Sequence, residues 1–282
     1  MKSEREPIGL LRVVLTAALS ALPACSGGDG PIATICDGST AIRFSFRNIG
    51  GGQVLPGSQV LSENGFNFLI VDGQCHFWAR PDQGSDAREG DLSEEQANGL
   101  SGALKLSSWG KLRGDYTDSL CDGPTREYRF ADNKIAVYST CGGGSSPVNW
   151  LLNPALSQLQ AIYDTGTPVG GPVRFVLMAE QDGVVWSSSV INLAAHWPLA
   201  SDPASVAWTF DQANNYQPGS SNSTAPPDAD ALRSIRRSFV TAGTTQWTGG
   251  FVPILGPRDE QYEFFVRDSI ALEDAQGLLH LD

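Results

Sequence analysis

Lysine is scarce in this chain. There are four, at positions 2, 105, 111 and 134, and with arginine they make 19 cations against 31 carboxylates, a formal charge of −12. Phosphate backbones are bound by clustered Lys and Arg, so a nucleic acid partner is excluded. Histidine is scarcer still. His76, His196 and His280 each lack a second His, Cys or carboxylate at a metal-ligand spacing. There is no G-x-S-x-G elbow that would place a nucleophile beside a base. The glycine-rich stretch at 141–147 lacks the G-K-[ST] ending of a phosphate loop. The residues therefore single out no catalytic side chain, no cofactor-binding residue and no metal ligand. Long apolar runs are missing too. Val13–Ala24 is uncharged for twelve residues, short of the about 20 that a membrane-spanning helix needs.

That run does have a reading. Lys2, Arg5 and Arg12 precede it, and Leu22-Pro23-Ala24-Cys25 closes it. A basic start, a short apolar core and a small residue before the cut describe an export signal. The last four residues resemble the lipobox of bacterial lipoprotein precursors. The resemblance implies cleavage before Cys25 by signal peptidase II and acylation of the Cys25 thiol, with membrane lipid as the partner. Several acyl chains on one residue make a firm anchor. Ser26 stands where lipoproteins kept at the inner membrane often carry Asp, so the resemblance implies the outer membrane, with the domain periplasmic or surface-exposed. An ordinary signal peptide cut after Ser20 would instead leave Cys25 a plain thiol. The cysteine count favours the anchor: five is odd, and removing Cys25 leaves Cys36, Cys75, Cys121 and Cys141 to pair in an oxidising compartment. Residues 1–24 carry a net charge of +1, so the chain from Cys25 onward stands at about −13. Residues 25–35, with three Gly beside Ser26, Asp29 and Pro31, read as a flexible tether.

Beyond the tether, hairpins and helices alternate. Ile42, Phe44 and Phe46 recur at the period of a half-buried strand. Asp72-Gly73 between two apolar runs predicts a two-residue hairpin loop. That loop pairs Ile70 with Cys75, Phe68 with Phe77 and Phe66 with Ala79 on a core face, leaving His76 and Trp78 on the other. Ser93 and Gln96 form a capping box, followed by Ala97, Leu100 and Leu104 at helical spacing. A second hairpin around Asp132-Asn133 pairs Phe130 with Ile135 and Tyr128 with Val137. Asn153-Pro154 predicts a helix start, with Leu156, Leu159 and Ile162 as its stripe. After "DTGTPVGGP", strands are expected at Val173–Leu177, Val206–Phe210 and Tyr262–Ile270. A helical stripe runs through Ala231, Leu232, Ile235 and Phe239, and 211–230 reads as a polar loop.

These elements predict an α+β fold of antiparallel hairpins with a few packed helices. The expected organisation is signal 1–24, tether 25–35, a disulfide-stapled domain 36–165 and a second α+β subdomain 166–282. Four cysteines allow three connectivities. Cys121 and Cys141 bracket the second hairpin, which gives Cys121–Cys141 and leaves Cys36–Cys75. Asp82, Asp86, Glu89 and Asp91 read as a solvated charge run rather than a Ca²⁺ loop, because the D-x-D-x-D-G order is missing. Trp78 and Trp109 are the candidates for an exposed sugar-stacking surface, with burial in the core the default. The functional expectation is a non-enzymatic binding or structural module of the envelope with a protein or glycan ligand. Its alternative is a secreted hydrolase with an unrecognised site.

Overall fold

The first strand, β1 (Ile42–Ile49), sits at the middle of an eight-stranded sheet and turns Phe44 and Phe46 into its core. The structure, a computed structural model, describes residues 34–50, 55–104, 112, 114–118, 123–130, 133–139, 147–180, 186–241 and 251–281. All of these lie in one unit, Ala33–Asp282. The remaining strands of the sheet are β2 (Phe68–Asp72), β3 (His76–Arg80), β4 (Arg88–Asp91), β5 (Gly114–Asp118), β6 (Thr125–Phe130), β7 (Asn133–Ser139) and β8 (Thr167–Pro168). Their order is β5-β7-β6-β1-β2-β3-β4-β8, antiparallel except for β5 beside β7. A second sheet is built from β9 (Val173–Ala179), β10 (Ala195–His196), β11 (Asn222–Thr224), β12 (Val252–Leu255) and β13 (Gln261–Asp268). Its order is β10-β12-β13-β9-β11, with only β10 and β12 parallel. The fold is α+β with mostly antiparallel strands. The chain passes from one sheet to the other between Pro168 and Val173.

Each sheet is buried on both faces, which separates four apolar clusters. On the first sheet, Phe44, Leu69, Val71, Phe77, Tyr128 and Ile135 pack under α1 (Glu94–Leu104), α2 (Pro147–Leu156) and α3 (Leu159–Thr165). Its other face holds Phe68, Ile70 and Trp78 against Ile270 and Leu281 of the C-terminal segment. On the second sheet, Phe175, Leu177, Ile254 and Phe264 meet Ala229, Leu232 and Ile235 of α6 (Asp228–Thr241). The opposite face, Val176 and Phe265, is covered by Val60 and Leu61 of a 3₁₀ turn, Ser58–Ser62, from the β1–β2 connection. Gly57 makes that crossing feasible. Its φ is +81°, and a Cβ there would stand 3.0 Å from Val176 Cγ1. The smaller helices are α4 (Ser188–Ile191) and α5 (Phe210–Asn214). No helix among the described residues is long and apolar enough to cross a membrane.

Several local expectations hold in detail. Ser93 Oγ accepts from the Gln96 amide at 3.2 Å and Gln96 Oε1 accepts from the Ser93 amide at 2.9 Å, so α1 starts at its capping box. The second hairpin keeps Tyr128, Phe130, Ile135 and Val137 in one core, although its register moves by two residues, with Tyr128 opposite Ile135. An even shift preserves the faces. The first hairpin differs more. Its register is Val71 opposite Phe77 and Ile70 opposite Trp78, so the loop is three residues, Gly73 to Cys75. Asp72 Oδ1 accepts from the Gln74 and His76 amides at 2.9 and 2.8 Å, and Cys75 takes a positive φ of 72°. A left-handed third residue is what a three-residue hairpin loop demands. The odd shift moves Phe77 and Ala79 onto the face of Leu69 and Val71, and Trp78 and Arg80 onto that of Phe68 and Ile70.

Elsewhere the chain is more broken or more ordered than its pattern. The stripe Leu156, Leu159, Ile162 spans two helices, interrupted at Ser157 and Gln158. Trp208 makes only an isolated bridge to Met178, because the Thr209–Gln212 capping box starts α5 immediately after it. The polar stretch at 211–230 holds most of α5, all of β11 and the start of α6.

Candidate functional site

Between the sheets lies a buried ionic network. Asp268, at the end of β13, has no exposed surface. Its Oδ1 accepts from Arg233 Nε at 2.6 Å, and its Oδ2 from Arg236 Nη2 at 2.9 Å and the Ala87 amide at 2.8 Å. Burial pushes the carboxyl up, but Arg236 and the three hydrogen bonds outweigh it and hold Asp268 down at about 2. Arg267 pairs with Glu63 and with Glu273, the latter at 2.6 Å. Arg236 also pairs with Asp86. These groups come from α6, β13, the residue capping the 3₁₀ turn, the loop before β4 and the C-terminal segment. They add charge to the apolar contact that Val60 and Leu61 make with Val176 and Phe265.

Of the four acidic residues at 82–91, Asp82 and Asp91 are exposed as a solvated run would be, and Asp86 departs from that expectation. Asp86 is 13 % exposed and engaged by Arg236 and Arg237. Asp82 accepts from the Gly84 and Ser85 amides. Glu89 accepts from Trp78 Nε1 at 3.1 Å, and Asp91 pairs with His76 Nδ1 at 2.9 Å. Trp78 is 6 % exposed and packs edge-on against His76, so it is a core residue and no sugar platform. Trp109 lies outside the described residues.

One edge of the network opens into a cleft of about 470 Å³ where the sheets approach. Glu89 lines it from the first sheet, Arg174 and Ser223 from the second, and Ser269, Glu273 and Asp274 from the C-terminal segment. Its charged groups are held by neighbours. Arg174 Nη2 donates to Ala275 O at 2.6 Å, and Asp274 pairs with His280 at 2.9 Å while accepting from the Gln276 and Leu278 amides. The His280 bond, with those amides, holds the Asp274 carboxyl at about 2. Of the carboxylates bonded to histidine, Asp274, the partner of His280, lines the cleft, whereas His76 and its partner Asp91 do not. A second cleft, about 350 Å³, lies at the β10 edge and includes His196, Trp197 and Asp202. No group of three or more metal-ligating side chains occurs among the described residues.

On the second sheet, Glu263 shares the face of Phe265, and Glu180 stands near enough for its charge to act on it, which makes the two a carboxylate pair. Burial and the Glu180 charge push Glu263 up to about 7, while Glu180 accepts from Trp186 Nε1 at 2.6 Å. An acid raised in the fold binds more protons folded than unfolded. Its contribution is therefore largest at low pH and is lost as pH rises from about 4.5 through about 7. We expect Glu263→Gln to remove this fall, leaving the variant more stable relative to the parent at pH 8 than at pH 5. Chemical denaturation at the two pH values reads the difference, and equal differences would contradict it.

Among the cysteines, Cys36 and Cys75 are disulfide-bonded, with Cα atoms 5.0 Å apart. The bridge joins the start of the folded unit to the tip of the first hairpin. Cys25, Cys121 and Cys141 lie outside the described residues. Neither the ionic network nor the carboxylate pair was found from sequence. Their only signal is charge at positions the apolar period assigns to the interior, as at Arg233 and Arg236 on α6 and Asp268 on β13. No protein-family model matches the chain, and no curated protein or solved structure matches it.

Proposed function

We propose that this chain is a lipid-anchored envelope module, held by acylated Cys25, that binds a ligand in the cleft between its two sheets. The observation that carries this reading is the Cys36–Cys75 disulfide, placed directly behind the tether. Disulfides persist outside the reducing cytosol, which agrees with an export signal at the amino terminus. The cleft supports a recognition role. Its polar groups are fixed in place by internal hydrogen bonds, the preorganisation that ligand sites use. The large apolar side chains most exposed among the described residues, Tyr138, Ile191 and Leu193, line neither cleft. A ligand in the larger cleft would meet apolar lining from Val169, Pro172, Ile270 and Ala271 beside those fixed polar groups. The test is detergent phase partition of the full precursor expressed in a bacterium, with intact-mass analysis. The parent should enter the detergent phase carrying acyl mass, and Cys25→Ser should stay aqueous. Equal partition of the two would overturn the anchor.

The carboxylate pair favours a second reading, a secreted hydrolase. Glu263 holds its proton near neutral pH while Glu180 is fixed by Trp186, the asymmetry that acid–base catalysis requires.

A further inference from the structure

Arg80, on β3, stands apart from the other buried arginines. It has no exposed surface, and no described carboxylate lies within ion-pair distance of it. Its Nη2 donates to three neutral acceptors, Leu61 O at 2.9 Å, Asn64 Oδ1 at 3.2 Å and Gly65 O. Its Nε and Nη1 are buried with no hydrogen-bond partner. The guanidinium carbon stands over the Phe68 ring, 5.4 Å from its centroid, a cation–π contact that supplies no anionic partner. Arg236, near enough for its charge to act on Arg80, also has an unpartnered buried Nε.

The charge count points the same way. The network contains five buried guanidiniums, Arg80, Arg174, Arg233, Arg236 and Arg267, against four largely buried carboxylates, Glu63, Asp86, Asp268 and Glu273. Asp230, the other partner of Arg233, is 65 % exposed and belongs to the solvent rim. Buried cations are tolerated when they are paired and hydrogen-bonded, and buried donors are almost always satisfied. We propose that Arg80 binds a small monovalent anion of chloride size, held in the plane of the guanidinium by its Nε and Nη1 hydrogens. One negative charge balances the excess. Arg80 has no exposed surface and lines neither cleft, so a partner as large as phosphate or sulfate is excluded. Burial and the charges of Arg236 and Arg267 lower the Arg80 guanidinium to about 9, so it is still a cation at neutral pH.

The experiment is equilibrium urea unfolding of the chain from residue 26 onward, exchanging chloride for gluconate at constant ionic strength. Binding to the folded state alone lowers the unfolding constant about tenfold for each tenfold rise in chloride above the dissociation constant. The parent should show this slope and Arg80→Met should be flat, which cancels any general salt effect. Should Arg80→Met fail to fold, Arg80→Lys takes its place, keeping the charge without the planar fork. Crystals grown in bromide should then give an anomalous peak beside Arg80 Nε. Identical slopes in parent and variant, or a water in place of the bromide peak, would overturn the site.

Discussion

Asp268→Asn should lower stability by about 3–5 kcal/mol, the usual cost of removing one partner from a buried ion pair. Asparagine keeps the shape but not the charge. Arg233 and Arg236, 2 % and 3 % exposed, would then keep Asp230 at the solvent rim and Asp86 as their carboxylate partners, beside backbone carbonyls. The loss is read from the urea midpoint at pH 7. Asp230→Asn is the matched control, because its carboxylate is 65 % exposed and surface pairs are worth at most about 1 kcal/mol. Equal losses in the two variants would refute the role given to burial. The pH dependence follows from the depressed carboxyl. Asp268 stands at about 2 in the fold against 3.8 otherwise. Its contribution is therefore complete above about pH 4 and disappears as pH falls towards 2. Acid unfolding of the parent should steepen in that window, and that of Asp268→Asn should not.

The second large effect is at the disulfide. Cys36 and Cys75 are separated by 39 positions, and closing a loop of that length is worth about 4 kcal/mol in the chain-entropy estimate. The double variant Cys36→Ala with Cys75→Ala should lose that much, measured by urea denaturation. Reduction of the parent should have the same effect. Cys75 adds a second term because its φ is 72°, a region where glycine is at ease and alanine is strained. Cys36→Ala with Cys75→Gly should therefore be more stable than the alanine pair by about 1 kcal/mol. If the alanine pair were the more stable, the three-residue hairpin loop would be wrong.

That loop also marks the limit of what local pattern conveys. The presence of a hairpin is visible in Asp72-Gly73 between two apolar runs, but its register depends on whether the turn holds two residues or three. Asp72 decides this by turning its own carboxylate onto the Gln74 and His76 amides. Because side chains alternate, one extra loop residue transfers a whole strand to the opposite face. Both faces of β2 and β3 are apolar, so hydrophobic pattern alone could not choose. The second hairpin shows the contrast. Its slip was even, and Tyr128 and Ile135 reach the same core either way.

The candidate site was less visible still. His76 finds Asp91 across a strand pair, and His280 finds Asp274 within the C-terminal segment, neither at a spacing that reads as a motif. Glu180 follows β9 directly and bonds through its amide to Gln261 O, and the β9–β13 register sets Glu263 opposite Met178, which brings the two carboxylates near each other.

By itself, the amino-acid order determined the α+β class, the alternation of hairpins and helices, the capped start of α1 and the apolar stripe of α6. Each rests on contacts within a few residues, where backbone period and capping act. Tertiary structure alone decided the two sheet orders, the covering of one sheet by the other's loop, and the matching of five buried arginines to four carboxylates. Those choices join residues as far as 209 positions apart. Their energy comes from removing water around charges and apolar faces that no short segment can bury alone.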